Sequence, residues 1–262
     1  MNWQHILALS ILRVKILLRQ KIGWMTLVSG GILILVSYIF AKVSFINPEK
    51  IFWDFSLGLS FIMQVFLATY LASHCLKEEQ DRRTLHVLLA RGVSRRDWLL
   101  GNGLGLWIAL NFMNLFWFLL SLAVSFLFFD FDHSFILVQS QLLLSFEIFL
   151  IIPMTFCFSL FLRPALTWAL SLASVFVLHD QSSLKGVLQD PTVSHIYQNN
   201  FYKIFFKLMS LLPPLEWFDI RMMVGYESVF SWSSTISMCG LGLLWAAFWY
   251  VASVRIFKRM DL

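Results

Sequence analysis

Charged side chains are scarce in this chain. Only 13% of its 262 residues are Asp, Glu, Lys or Arg, against roughly a quarter in a soluble domain, while 59% are hydrophobic and the mean hydropathy is +0.75. Water cannot be the main solvent of such a chain. Cysteine is equally sparse: Cys75, Cys157 and Cys239 are odd in number, far apart, and each lies in or beside an apolar run. That excludes a disulfide framework and a cysteine-based metal cluster, and leaves them as small core residues. His74, His133, His179 and His195 are scattered without helical zinc-ligand spacing, so no metal site is expected. No G-x-x-x-x-G-K-[ST] phosphate loop occurs, so any nucleotide hydrolysis belongs to another chain. The glycines of Gly101-Asn102-Gly103-Leu104-Gly105 follow no strand and open no βαβ unit; their expected role is close helix packing. The N-terminus lacks a basic stretch ahead of an apolar run with a cleavage site, which predicts that the first span acts as the insertion signal.

What is present is apolar sequence in lengths that suit a bilayer. A hydrocarbon core about 30 Å thick takes roughly 20 residues of helix, and runs of that kind lie at residues 24–41, 55–76, 99–129, 135–162, 165–178 and 233–254. The expected fold is therefore an all-α integral membrane protein of six transmembrane helices in a single domain, residues 1–262, with the fifth run short. Trp residues recur near the run ends, as an interfacial belt requires.

The net charge of +5 does not point to nucleic acid, because the basic residues sit in short connections between apolar runs and form no solvated patch. They report topology. With six spans, fourteen of the twenty Lys and Arg fall on the side that holds both termini and the connections after the second and fourth spans. That predicts cytoplasmic termini. Ahead of the first span, Trp3, Leu7, Ser10, Ile11, Val14, Leu17 and Leu18 recur at helical spacing, with Arg13 and Arg19 mostly elsewhere on the wheel. Residues 1–22 are thus expected to form an amphipathic helix in the inner interface. The connection over residues 179–232 carries Phe201, Ile204, Phe205, Leu208 and Met209 on one helical face before Pro213 and Pro214, which predicts short outer-leaflet helices.

The most informative connection is the elbow over residues 77–98. Glu78 with Arg82 and Glu79 with Arg83 have the spacing of acid-first i,i+4 pairs. Leu85, Leu88 and Leu89 make one apolar stripe. Gly92 is placed to close a helix, and Ser94 with Asp97 forms a capping box flanked by Val93 and Trp98 as a staple. A stripe framed by charges suits a docking surface for another protein, and arginines in the same place suit the anionic inner leaflet. These residues alone leave both readings open.

Glu78 to Leu89, continuing as Ala90-Arg91-Gly92-Val93-Ser94-Arg95-Arg96-Asp97-Trp98, resembles the acid-rich, Arg-Thr-Leu, Leu-Leu, Val-Ser-Arg-Arg pattern of permease subunits in type-2 ABC exporters. Leu211-Leu212-Pro213-Pro214-Leu215-Glu216-Trp217-Phe218-Asp219 resembles the outer-loop signature of the NosY-like branch, with Pro214 standing where a small polar residue is expected. The resemblance implies a cytoplasmic ABC ATPase partner that receives a coupling helix between spans 2 and 3. Its contacts would be Glu78, Glu79, Arg82, Arg83, Thr84, Leu85, Leu88, Leu89 and Arg91. It also implies a second permease copy or paralogue, ATP and Mg on the partner subunit, and no cofactor bound by this chain. Two alternatives stand beside this reading, a secondary transporter and a non-transporting membrane anchor for a cytosolic complex.

Inside the spans, Glu147 is the polar residue that most calls for explanation, since an acid near the middle of a membrane helix is unfavourable without a partner. It is expected to bond a neighbouring helix through Gln64, Asn111 or Asn114; binding a cationic group or relaying protons stays open. Asp130, Asp132 and His133 fall in a short outer turn and read as turn chemistry.

Overall fold

In a computed structural model, residues 2–45, 47–81, 84–129, 134–183, 214–224 and 230–259 are described, and among them the regular structure is entirely helical. Eight α-helices occur there: α1 (Trp3–Arg19), α2 (Lys21–Val43), α3 (Pro48–Asp81), α4 (Thr84–Ala90), α5 (Arg95–Phe128), α6 (Ser134–Ser159), α7 (Pro164–His179) and α8 (Trp232–Arg259). Two 3₁₀ turns, Leu215–Phe218 and Arg221–Met223, lie between α7 and α8. The helical face over residues 201–209, Pro213 and the Asp130, Asp132 and His133 turn lie outside the described residues.

Five of these helices are long and apolar enough to cross a membrane: α2 from Gly23, α3, α5, α6 from Phe135, and α8. The fifth of the six expected runs is α7, also apolar but only 16 residues long, or about 24 Å at 1.5 Å per residue. At the same rise α3 and α5, with 34 residues each, reach about 51 Å and overhang a hydrocarbon core of about 30 Å.

α3 is the hub, packed against α2, α5, α6 and α7, while α6 also packs along α8. The buried faces carry Trp53, Phe61, Leu106, Trp117, Ile148 and Phe156, and large side chains such as Phe112, Phe126, Ile236 and Leu244 point outward where lipid would solvate them.

α1 does not stand apart from this bundle. It lies against the first turns of α5, where a Cβ added to Gly101 would come within 2.7 Å of Leu9 Cβ, and one on Gly105 within 2.8 Å of the Ser10 carbonyl oxygen. Glycine is required there because two backbones nearly touch, and Ser10 Oγ donates across the gap to the Gly101 carbonyl at 2.9 Å. The buried face of α1 is Ile6, Leu9, Ser10, Arg13 and Leu17, whereas Trp3, Leu7 and Ile11 remain exposed. The expected apolar stripe is thus split. Contact with α5 selects one side of the wheel, and Arg13 goes inside with it because Glu78 supplies a carboxylate.

Candidate functional site

The elbow is built from local chemistry. α4 ends in a Schellman motif: Val93 N–H donates to the Leu88 carbonyl at 3.2 Å and Gly92 N–H to the Leu89 carbonyl at 3.1 Å. Gly92 takes φ of 84°, in the left-handed region where a side chain would be strained. Ser94 then caps α5, its hydroxyl accepting from Asp97 N–H at 3.1 Å. The reciprocal arm of the capping box is diverted. One Asp97 oxygen accepts from Asn2 N–H at 3.3 Å, which ties the start of α1 to the start of α5.

Around this turn the overhanging helices are laced together. Trp98 is fully buried and its indole N–H donates to the Glu79 carboxylate, joining α5 to α3. Glu78 faces Arg13 of α1 at 3.7 Å, and Thr84 Oγ1 donates to the Glu79 carbonyl at 3.2 Å, holding α4 to the end of α3. Arg95 donates to the Phe257 carbonyl and lies 5.4 Å over the Phe257 ring, so α8 is tied to the same end. α4 is thus connected to α1, α3, α5 and α8 through a continuous set of named contacts.

The sequence-predicted coupling residues are not all on the surface. Leu85 is fully buried and Leu88 and Leu89 are half-buried against the core, so the leucine stripe faces the protein and not the solvent, because burial of apolar area outweighs any exposed placement. What α4 and its turn expose is Thr84, His86, Val87, Ala90 and Arg91. Glu78 and Glu79 are engaged with Arg13 and Trp98; Arg82 and Arg83, their expected partners, lie outside the described residues.

The intramembrane polar residues separate into two groups. Gln64 Nε2 donates to the Leu110 carbonyl at 3.3 Å, linking α3 to α5, and Asn114 Nδ2 donates to Gln141 Oε1 at 2.6 Å, linking α5 to α6. Among the described residues Asn111 bonds within its own helix, to the Trp107 carbonyl at 2.8 Å. None of the three is the hydrogen-bond partner of Glu147. That partner is His179, at the last residue of α7, whose Nε2 lies 2.6 Å from Glu147 Oε1. Phe61 packs edge-on to the His179 ring at 4.9 Å, and the Arg221 guanidinium lies 3.8 Å from the centroid of the same Phe61. Arg221 in turn makes a bidentate pair with Asp219, its Nε donating at 2.7 Å.

Burial alone would raise the Asp219 carboxyl, but the Arg221 hydrogen bonds and charge outweigh it and hold the group below the usual carboxylate value. The result is a chain of polar and aromatic groups joining α3, α6, α7 and the 3₁₀ segment. Among the described residues, no three His, Cys, Asp or Glu side chains gather as a metal ion would require.

Sequence reasoning missed His179, Asp219, Arg221 and Arg13. His179 carried a signal, an ionisable residue at the very end of an apolar run. The others became partners only through contacts between distant segments.

No curated protein matches the chain. The family model described as ABC-2 family transporter protein matches residues 39–262, most of the chain, and the chain belongs to that family. It is accordingly an integral membrane permease component of an ABC transporter, from a family that typically lacks ATPase motifs of its own and pairs with a cytoplasmic ABC ATPase.

Proposed function

We propose that this permease belongs to the NosY-like branch and serves an ATP-driven exporter, with both termini cytoplasmic in the bacterial inner membrane and α7 as a sixth, short span. In this reading the elbow over residues 77–98 seats in a groove of the ATPase, which binds ATP and Mg, and a second permease copy or paralogue completes an exit path. Closure of the ATPase on nucleotide pushes α4, and the push becomes a rigid-body movement of the helices tied to it. The weakly charged, aromatic spans favour an amphipathic or lipid-like cargo.

One observation carries the reading. α4 and the turn after it expose Val87 and Arg91, while Leu85 is buried and Thr84 donates to the Glu79 carbonyl at the end of α3, the residue that Trp98 of α5 also holds. Such a piece presents a surface and transmits force, which a plain reconnecting loop does not.

The experiment is co-expression with a candidate cytoplasmic ABC ATPase subunit, using Val87→Cys and Arg91→Cys for site-directed crosslinking. Both positions should capture the ATPase, and Val87→Asp should uncouple ATP hydrolysis from transport while the permease still folds. Cysteines that are labelled only from outside intact cells, or that capture lipid alone, would remove the coupling assignment.

A further inference from the structure

α1 and α2 meet at a single extended residue, Gln20, with φ −70° and ψ 148°. Beside that break, facing the end of α3, is a cavity of about 530 Å³, within the size range of small-molecule sites. Its apolar wall is Leu17, Tyr70 and Leu71, and its basic groups are Arg13, Lys21 and Lys77.

The charges in this cavity are unevenly matched. Asp81 takes Lys77 at 3.0 Å, and Glu78 takes Arg13, but only at 3.7 Å. Arg13 is 5% exposed and its Nε makes no hydrogen bond among the described residues. Even with the Glu78 and Glu79 carboxyl groups beside it, a guanidinium this deeply buried keeps one N–H donor unmet. Lys21, on the cavity rim, has no ion pair among the described residues. The site thus offers unspent donors of one sign above an apolar wall, at the point where the first span enters the bilayer. Basic pockets between membrane helices on the cytoplasmic side take acidic lipid headgroups.

We infer that this cavity binds the phosphate of an anionic phospholipid between Arg13 and Lys21, with an acyl chain laid on Leu17, Tyr70 and Leu71. The cytoplasmic location rests on the orientation proposed above; the phosphate chemistry does not. A bound lipid would supply an acceptor for the Arg13 Nε donor and would pin the α1–α2 break to α3. The elbow hangs from α1 through the same Arg13 and Glu78, so occupancy of the cavity stiffens the coupling end of the molecule.

The test is native mass spectrometry of the delipidated full-length protein, titrated with dioleoylphosphatidylglycerol, dioleoylphosphatidylcholine or glycerol 3-phosphate. Phosphatidylglycerol should be retained about tenfold over phosphatidylcholine, and Lys21→Glu, at an exposed position, should weaken it about fivefold or more at an unchanged melting temperature. Lys77→Gln is the second variant and should weaken it less, because Lys77 is shared with Asp81. Equal retention of the two lipids overturns the proposal, as does phosphatidylglycerol retention unaffected by Lys21→Glu. Glycerol 3-phosphate displacing the lipid at matched concentration overturns the lipid and leaves a free-anion site. Orientation is read separately from Lys15→Cys: labelling of that cysteine from outside the cell, with phosphatidylglycerol selectivity intact, sinks the topology and spares the headgroup site.

Discussion

Adding one methyl group to Gly105 should destabilise the protein, whereas the same methyl on Gly240 should not. At Gly105 a Cβ would sit 2.7 Å from Arg13 Cβ, 2.8 Å from the Ser10 carbonyl oxygen and 3.1 Å from Ser10 Cα, and two of those neighbours are backbone that cannot rotate away. At Gly240 in α8 nothing lies within 4 Å. Both substitutions gain the same intrinsic helix preference of alanine, about 0.5–1 kcal/mol. Forcing α1 off α5 sets against that an overpacking penalty of about 1–3 kcal/mol. Gly105→Ala should therefore fall below Gly240→Ala by about 1–3 kcal/mol, since the propensity gain cancels in the comparison. Thermal unfolding in one detergent, followed by tryptophan fluorescence, ranks the two variants. A Gly105→Ala protein that melts at or above Gly240→Ala would show that α1 does not dock on α5 as described.

Removing Glu147 leaves His179 without its hydrogen-bond partner in a largely buried site, so Glu147→Ala should lose about 1–3 kcal/mol, and Glu147→Gln, which keeps a hydrogen-bonding group, markedly less; equal melting points for the two variants would refute the pairing. Asp219 has a carboxyl lowered by Arg221, so its stabilisation is full above the unfolded value near ~3.9 and is lost as pH falls through the lower folded value. The stability gap between wild type and Asp219→Asn should accordingly close only below about pH 3.9, and a gap that closes at higher pH contradicts the Arg221 contact. Trp98→Phe keeps the buried ring but removes the donor to Glu79, leaving a carboxylate short of a partner; a loss of about 1–3 kcal/mol is expected, together with weaker coupling of transport to ATP hydrolysis. Wild-type stability and coupling in that variant would place the transmission elsewhere.

The turn at Gly92 to Asp97 was legible because every signal for it is local: a glycine for positive φ, a serine to cap, and an aspartate three residues on. The long spans were legible for the same reason, since hydropathy needs no partner. Periodicity could group Leu85, Leu88 and Leu89 on one face but not say which face meets solvent, and the stripe turned inward. Glu147 could be flagged as needing a partner, but His179 is 32 residues away on another helix and the pairing depends on how α6 and α7 pack. Arg13 was misplaced because its counterion, Glu78, sits on α3, far along the chain; charge alone put it on the polar side. The α1–α5 contact lay between these cases, with the spaced glycines visible and the helix they receive not.

That contact also constrains how the protein is made. The Ser10 hydroxyl finds its acceptor on Gly101, 91 residues later in the chain. While the nascent polypeptide emerges, α1 therefore has no seat: α2 and α3 both precede its glycine-lined berth in the chain and are synthesised first. Through that interval the amphipathic N-terminus waits unattached, with Arg13 still hydrated, and it can be buried only after the α5 segment has arrived.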